Sequence, residues 1–549
     1  MKTNIVLYSL LATLSLLGLS ACSDSVLEEN PTAFLNVDNA FTDPAGFEAG
    51  LTGMYSGLRD ELYGPITIIL LGHMMVGTDI ASAGDPGIRF FNSYETDMRP
   101  ENDLFISALW TWAYTQVLPV ANAIIENIDN IEWDSEADRN ALLGEAQFGR
   151  AYVYNVLVNV YNGVPIVDEL ASSPRFDFTR ASRLEVLEFI RQDLEFAAQW
   201  LPNIPVLDGR TSSAAANHLL SEVFISLGRE TGDASFYNAS VQAASQVIDD
   251  PAYELVTNRF GSAVDQPGDY YSDLFKDGNQ DRSSGNTEVI WTYQHQFGTP
   301  GGQSDSEGNM WLRTWGPRFF DARDPNNFRA FILTEDSIGR GVGWVRPSGY
   351  WIYDIWDDPN DIRNNRFNVR REWFYNNPES EFFGQKLVPH EFFGNEYRDT
   401  MQHIYPMIRK IEGDLLNGPT TGRTFTDAMV MRLSETYLLR AEAHMLTGDL
   451  AAAADDINVV RARAQTYLIS ASDVNIDFIL DERARELIIE EPRRRTLART
   501  GTLVERTRRY NTLEETRNTI QDYNQWFPIP LSVIEANLEA ELEQNPGYN

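Results

Sequence analysis

The chain has 549 residues, 43% of them hydrophobic, and a formal net charge of −36. The apolar share suits a large folded core and excludes a disordered chain. The charge excludes nucleic acid as a partner, because phosphate recognition needs basic surface. Lysine is confined to Lys2, Lys276, Lys386 and Lys410, so 40 of the 44 basic residues are arginine. An acidic, lysine-poor surface points to work at high salt, where screening offsets self-repulsion; genomic base composition would also raise arginine.

Residues 1–21 read as a lipoprotein signal peptide. Lys2 precedes an apolar run over 5–19 that is too short to span a membrane comfortably. Leu19-Ser20-Ala21-Cys22 resembles a bacterial lipoprotein cleavage box, which would lipidate Cys22 and leave 22–40 as a lipidated tether. At ~0.8 kcal/mol per buried methylene, several acyl chains hold a protein durably on a membrane. Cys22 is the one cysteine, so no disulfide forms within the chain.

Residues 41–250 read as helical, with amphipathic stretches at 137–160, 214–227 and 239–248. A loop over 77–99 separates two N-terminal helices and carries Asp79, Arg89 and Tyr94. Residues 251–425 change character. Gly, Asp, Asn and Pro are scattered, and helical periodicity is poor. Glu288-Val289-Ile290-Trp291-Thr292-Tyr293 reads as a short strand and 298–309 as a flexible loop. Loops on a rigid scaffold are where binding tends to sit.

Six of the 12 tryptophans fall within 311–373. Aromatic plates cover the apolar faces of sugar rings while nearby polar groups hold the hydroxyls. Trp344, Tyr350 and Trp351, on a Gly/Pro-punctuated loop, are the leading ligand candidates, with Trp315 and Trp311 next. The same window holds ten arginines against nine acids, net +1 in an acidic chain. Arginine forks bind carboxylate or sulfate, so an anionic polysaccharide is one reading; internal pairing with neighbouring aspartates is expected for most of them. Asp277, Asn279, Asp281 and Glu288 match calcium-loop spacing, but Arg282 stands where the turn needs glycine. Calcium is a weak expectation. The six histidines form no zinc spacing, and no GxSxG or Walker loop is present. A glycosidase carboxylate pair is assembled in space, so 80 acids are uninformative.

Residues 426–549 carry the clearest pattern. Leu433, Tyr437, Ala441 and Met445 share one helix face. Gly448 ends that helix and Asp449 caps the next, giving a hairpin of tetratricopeptide length. The wording goes further: Met431-Arg432-Leu433-Ser434-Glu435-Thr436-Tyr437-Leu438-Leu439-Arg440-Ala441-Glu442-Ala443, Glu482-Arg483-Ala484-Arg485-Glu486-Leu487, Phe527-Pro528-Ile529-Pro530 and Asn545-Pro546-Gly547-Tyr548 resemble the SusD/RagB family. Gly50-Leu51-Thr52-Gly53-Met54-Tyr55 resembles its first helix. One run departs: Arg494-Arg495-Thr496-Leu497-Ala498 stands where the family commonly has Arg-Trp-x-Asp-Leu.

The resemblance implies a mostly α fold. A tetratricopeptide-like helical-hairpin scaffold (an α–α superhelix) would carry a loop-rich, aromatic ligand-binding region and a few short strands. It implies a non-catalytic lipoprotein on the outer-membrane surface that captures oligosaccharides and delivers them to a SusC-like TonB-dependent transporter. It places Asp79 at an often acidic position of a loop bordering the ligand. No cofactor is implied. A peptide- or small-nutrient-binding lid on the same transporter type remains open, and less so a glycoside hydrolase or an assembly scaffold.

Overall fold

The computed structural model describes residues 40–63, 74–85, 92–170, 173–298, 308–335, 338–388, 399–413, 415, 418 and 420–548. The expected signal peptide, Cys22, Arg89 and most of the 298–309 loop lie outside the described residues. Eleven helices of eight residues or more run through them: α1 (Pro44–Tyr63), α2 (Leu118–Asn127), α3 (Glu136–Tyr161), α4 (Arg183–Trp200), α5 (Ser213–Thr231), α6 (Ser235–Ile248), α7 (Leu433–Thr447), α8 (Leu450–Arg463), α9 (Ile476–Leu487), α10 (Arg493–Thr500) and α11 (Leu503–Tyr510).

Local chemistry sets their ends. Ser135 and Ser212 cap α3 and α5 by accepting from the Asp138 and Ala215 amides, and Ser182 with Glu185 forms a reciprocal capping box on α4. Each satisfies amides that a first turn leaves unpaired. Gly448 ends α7 at φ 87°, a left-handed conformation that suits glycine. The Asp449 side chain then accepts from the Ala452 amide to open α8.

The helices stack in chain order: α3 on α4, α4 on α5, α5 on α6, α6 on α7 and α7 on α8, with α1 and α2 against α3. This is the expected hairpin superhelix. Buried Ala441, Ala443, Ala453 and Ala454 let α7 and α8 close. Residues 249–432 separate α6 from α7 along the chain, yet the two helices touch, so the loop-rich region is an excursion from an unbroken stack.

Six short strands among the described residues make three antiparallel ribbons. β1 (Ala81–Ala83) pairs with β3 (Val345–Pro347), β2 (Val289–Tyr293) with β6 (Ala428–Arg432), and β4 (Val369–Arg370) with β5 (Met407–Ile408). Val289 lies opposite Arg432, and the Leu433 amide donates to the Glu288 carbonyl at 2.9 Å. The ribbon thus brings the start and end of most of the excursion together at the foot of α7.

The arginines of the C-terminal signature are core residues. Glu486 gathers Arg363, Arg432 and Arg463. Glu482 gathers Arg363, Arg461 and Arg485. Arg499 holds Glu442, and Arg483 holds Glu435 and Glu491. Nearly all of these side chains are buried, where a charge is tolerated only when paired. Burial works to raise the carboxyls of Glu435, Glu442 and Glu482, but the surrounding guanidiniums override it and hold each at about 2.

Candidate functional site

Several residues singled out from the sequence belong to this ion-paired hub. Asp79 is fully buried, 2.6 Å from Arg493 Nη2 and 2.8 Å from Arg506 Nε. Burial alone would raise its carboxyl; the two arginines bring it down to about 2. Tyr94 is buried, donating from its hydroxyl to the Gly77 carbonyl and accepting from Arg494, each at 2.5 Å. Trp351 is 1% exposed, and its indole N–H donates to the Ala484 carbonyl at 2.8 Å. Tyr350 is half-buried and stacks on Tyr510 with ring centroids 3.8 Å apart. Asp79, Tyr94 and Trp351 therefore turn no face to solvent here. An excursion without long helices still needs a core, and tryptophan buries the most area per residue.

The calcium-spaced residues are engaged elsewhere. Glu288 pairs with Arg432 and Arg463. Asn279 donates to the Asp273 carbonyl and accepts from the Ser262 amide. Asp281 accepts from Gln294 and lies against Asp427; burial, then the Asp281 charge, push Asp427 up to about 8. Among the described residues no three His, Cys, Asp or Glu side chains are placed to hold a metal ion.

Trp311, Trp315 and Trp344 are also buried, at 6%, 1% and 9% exposure, but they floor a face built by three segments. The first is the short helix Trp311–Trp315 with its extension to Phe320. The second is 338–344, tied to the first by the Val342 amide donating to the Arg313 carbonyl at 2.9 Å. The third is 420–426, paired with Asn309 through Thr424. A Cβ on Gly422 would stand 2.1 Å from the Arg340 carbonyl oxygen and 2.8 Å from Arg313 Cγ, so glycine is what lets the segments close. The Gly84 amide donates to the Trp344 carbonyl at 2.8 Å and, with the β1–β3 ribbon, fixes this face to the N-terminal part.

On that face Arg313 lies over the Trp344 ring at 5.4 Å, and Arg318 and Arg340 lie over the half-buried Phe320 ring at 5.9 and 6.0 Å. Beyond Phe320 an aromatic layer of Phe319, Phe331, Trp373 and Tyr375 continues underneath. Phe328, Phe374 and Phe383, outside the three segments, are exposed. Rings beside guanidinium donors can cover the apolar side of a polyol and hydrogen-bond its hydroxyls. Phe320 was not legible as a site residue; its one sequence signal is the neighbouring Arg318. Of the window's arginines, Arg318 pairs with Asp321 and Arg363 with Asp361, Glu482 and Glu486, as internal pairing predicts, whereas Arg313 and Arg340 hold no carboxylate of the described residues.

Elsewhere a cavity of about 520 Å3 lies between α2, the 165–178 segment and the helix Leu531–Ala536, lined by Trp110, Tyr114, Leu118, Phe178 and Val533 among others. It is mostly apolar, whereas a polyhydroxylated ligand needs placed polar groups.

Residues 287–548 match the family described as "SusD family" and residues 79–225 one described as "Starch-binding associating with outer membrane". The chain belongs to the SusD/RagB family. "SusD-like protein P2" of Formosa agariphila is 26% identical over 497 residues, 88% of this chain and 87% of the relative. "Starch-binding protein SusD" of Bacteroides thetaiotaomicron is 22% identical, covering 77% and 75%. Among solved structures, a "Laminarin binding SusD-like protein" aligns with TM-score 0.65 at 22% identity, over 92% of this chain and 100% of that one. A SusD homolog from Bacteroides thetaiotaomicron aligns with TM-score 0.70 at 18% identity, over 93% and 98%. The SusD-family match spans both the ion-paired hub and the aromatic face. No helix of the described residues is long and apolar enough to cross a membrane.

Proposed function

We propose that this chain captures oligosaccharide at the outer-membrane surface and passes it to a SusC-like TonB-dependent transporter, without cleaving it. In this reading residues 1–21 are the signal peptide, Cys22 carries the lipid and 22–40 are the tether. Residues 41–250 and 426–549 are the scaffold, and 251–425 supply the binding loops. Family membership supports it, as do relatives named for starch and laminarin binding. The observation that carries it in this molecule is the face around Phe320 and Trp344, where rings and guanidinium donors sit together on loops braced by a rigid stack.

The test is affinity electrophoresis of the lipid-free mature chain in gels holding neutral or anionic polysaccharides, with Phe320→Ala and Trp344→Ala alongside. Retardation by at least one glycan is expected, weakened about fivefold to tenfold by loss of a stacking ring. The glycan recovered afterwards should be unchanged in length. Full retardation in both variants, with unchanged circular dichroism, would move the site off this face. No retardation by any glycan would contradict sugar capture.

A further inference from the structure

Arg313 and Arg340 are unlike the arginines of the hub. Neither holds a carboxylate of the described residues; the Arg313 Nε is buried without a hydrogen-bond partner among them, as is that of Arg463 in the hub, but Arg463 is held by two carboxylates through its other nitrogens. Both stand over aromatic rings of the candidate face, and Gly422 draws Arg423 onto the same backbone cluster. The charged neighbours acting on Arg313 are themselves cations: burial first, then Arg340 and Arg423, push its guanidinium below its ordinary range. It still stays protonated near neutral pH.

We propose that Arg313 and Arg340 form a subsite for an oxyanion borne by the captured glycan, either a sulfate ester or a uronic carboxylate. The proposal rests on the glycan-capture reading above. Three lines of physical argument support it. Like charges held close in a partly dry site repel, and one bound anion turns that repulsion into attraction. A guanidinium offers a planar fork matched to carboxylate and sulfate oxygens, and the ring beneath fixes its plane while leaving its edge to donate. Finally, a chain of net charge −36 repels a polyanion as a whole, so capture of one requires a local site of the opposite sign.

Matched pairs of polysaccharides test this by titration calorimetry: native against desulfated carrageenan for the sulfate arm, and polygalacturonate against its methyl ester for the carboxylate arm. The variants are Arg313→Gln, Arg340→Gln and Arg313→Lys, each checked for an unchanged melting temperature. The expected result is that the charged member of at least one pair binds about tenfold or more tightly than its neutral partner. Either glutamine variant should erase that preference, weakening the charged member far more than the neutral one, and Arg313→Lys should keep part of it. Equal affinity within both pairs, or a preference that survives both glutamine variants, would overturn the subsite and leave sugar capture standing. If neutral glycans outside these pairs bind and neither charged member does, the subsite also falls. Failure of every polysaccharide to bind would overturn both.

Discussion

Arg463 and Arg313 are both withdrawn from bulk water, yet their surroundings are opposite. Arg463 is buried against Glu288 and Glu486 in a hub where Glu288, Glu482 and Glu486 are each shared among two or more guanidiniums. Arg313 lies over Trp344 with other cations as its charged neighbours. Pairing in the hub makes burial tolerable and fixes how α7, α8 and α9 meet the start of the excursion. The loop face keeps charge that the fold does not consume. The paired arginines of the hub hold the architecture; Arg313 and Arg340 are the ones proposed to meet a ligand.

The hub is the place to break that contrast most sharply. Glu486→Gln keeps the shape but strips the shared charge from Arg363, Arg432 and Arg463. Orphaning buried cations should cost about 3–5 kcal/mol, read as a lower urea midpoint. A loss under about 1 kcal/mol would mean the network is not structural.

Acid should dissolve the hub next. Asp79, Glu435, Glu442 and Glu482 sit at about 2 in the folded chain, against roughly 4 when unfolded. Depressed carboxyls contribute stability that is complete above the unfolded value and is lost as pH falls through the folded one. The melting temperature should therefore hold down to about pH 5 and drop steeply between about pH 4 and 2. Asp427, pushed up to about 8, has the opposite sign: its contribution is present below about 4 and fades as pH rises through 8. Glu145, Asp193, Asp281 and Asp456 are raised by burial as well, but raised carboxyls are protonated in both states below about pH 4, so they do not oppose the acid-side loss. A melting temperature unchanged at pH 3 would contradict the shared-charge hub.

The smallest effect is expected on the loop face. Arg340→Gln orphans no carboxylate of the described residues and relieves repulsion with Arg313. Stability should stay within about 0.5 kcal/mol of the parent or rise slightly. A loss of 2 kcal/mol or more, by the same estimate, would show that Arg340 serves the fold as the hub arginines do.

The stack was legible because its signals are local. Four-residue spacing from Leu433 to Met445, and the Gly448-Asp449 punctuation, need no knowledge of distant partners, and the observed helix ends agree. The strand read at Glu288 to Tyr293 also forms, from Val289. The candidate site was far less legible, for the converse reason. Asp79 meets Arg493 across 414 residues and Trp351 meets Ala484 across 133, so no local pattern could tell a buried aromatic from an exposed one. A tryptophan count marked the stretch that carries the proposed face, yet five of its six tryptophans form the floor or the core. The half-buried Phe320 and the pair Arg313 and Arg340 come together only when 311–320, 338–344 and 420–426 converge.

The most direct measurement is hydrogen–deuterium exchange by mass spectrometry, with and without the glycan that retards the protein most. Protection is predicted in peptides covering 311–320, 338–344 and 420–426, with no change in α9, α10 and α11. Protection confined to α2, 165–178 and 531–536, or none on the three loop segments at saturating glycan, would contradict the assignment of ligand binding to the unpaired face.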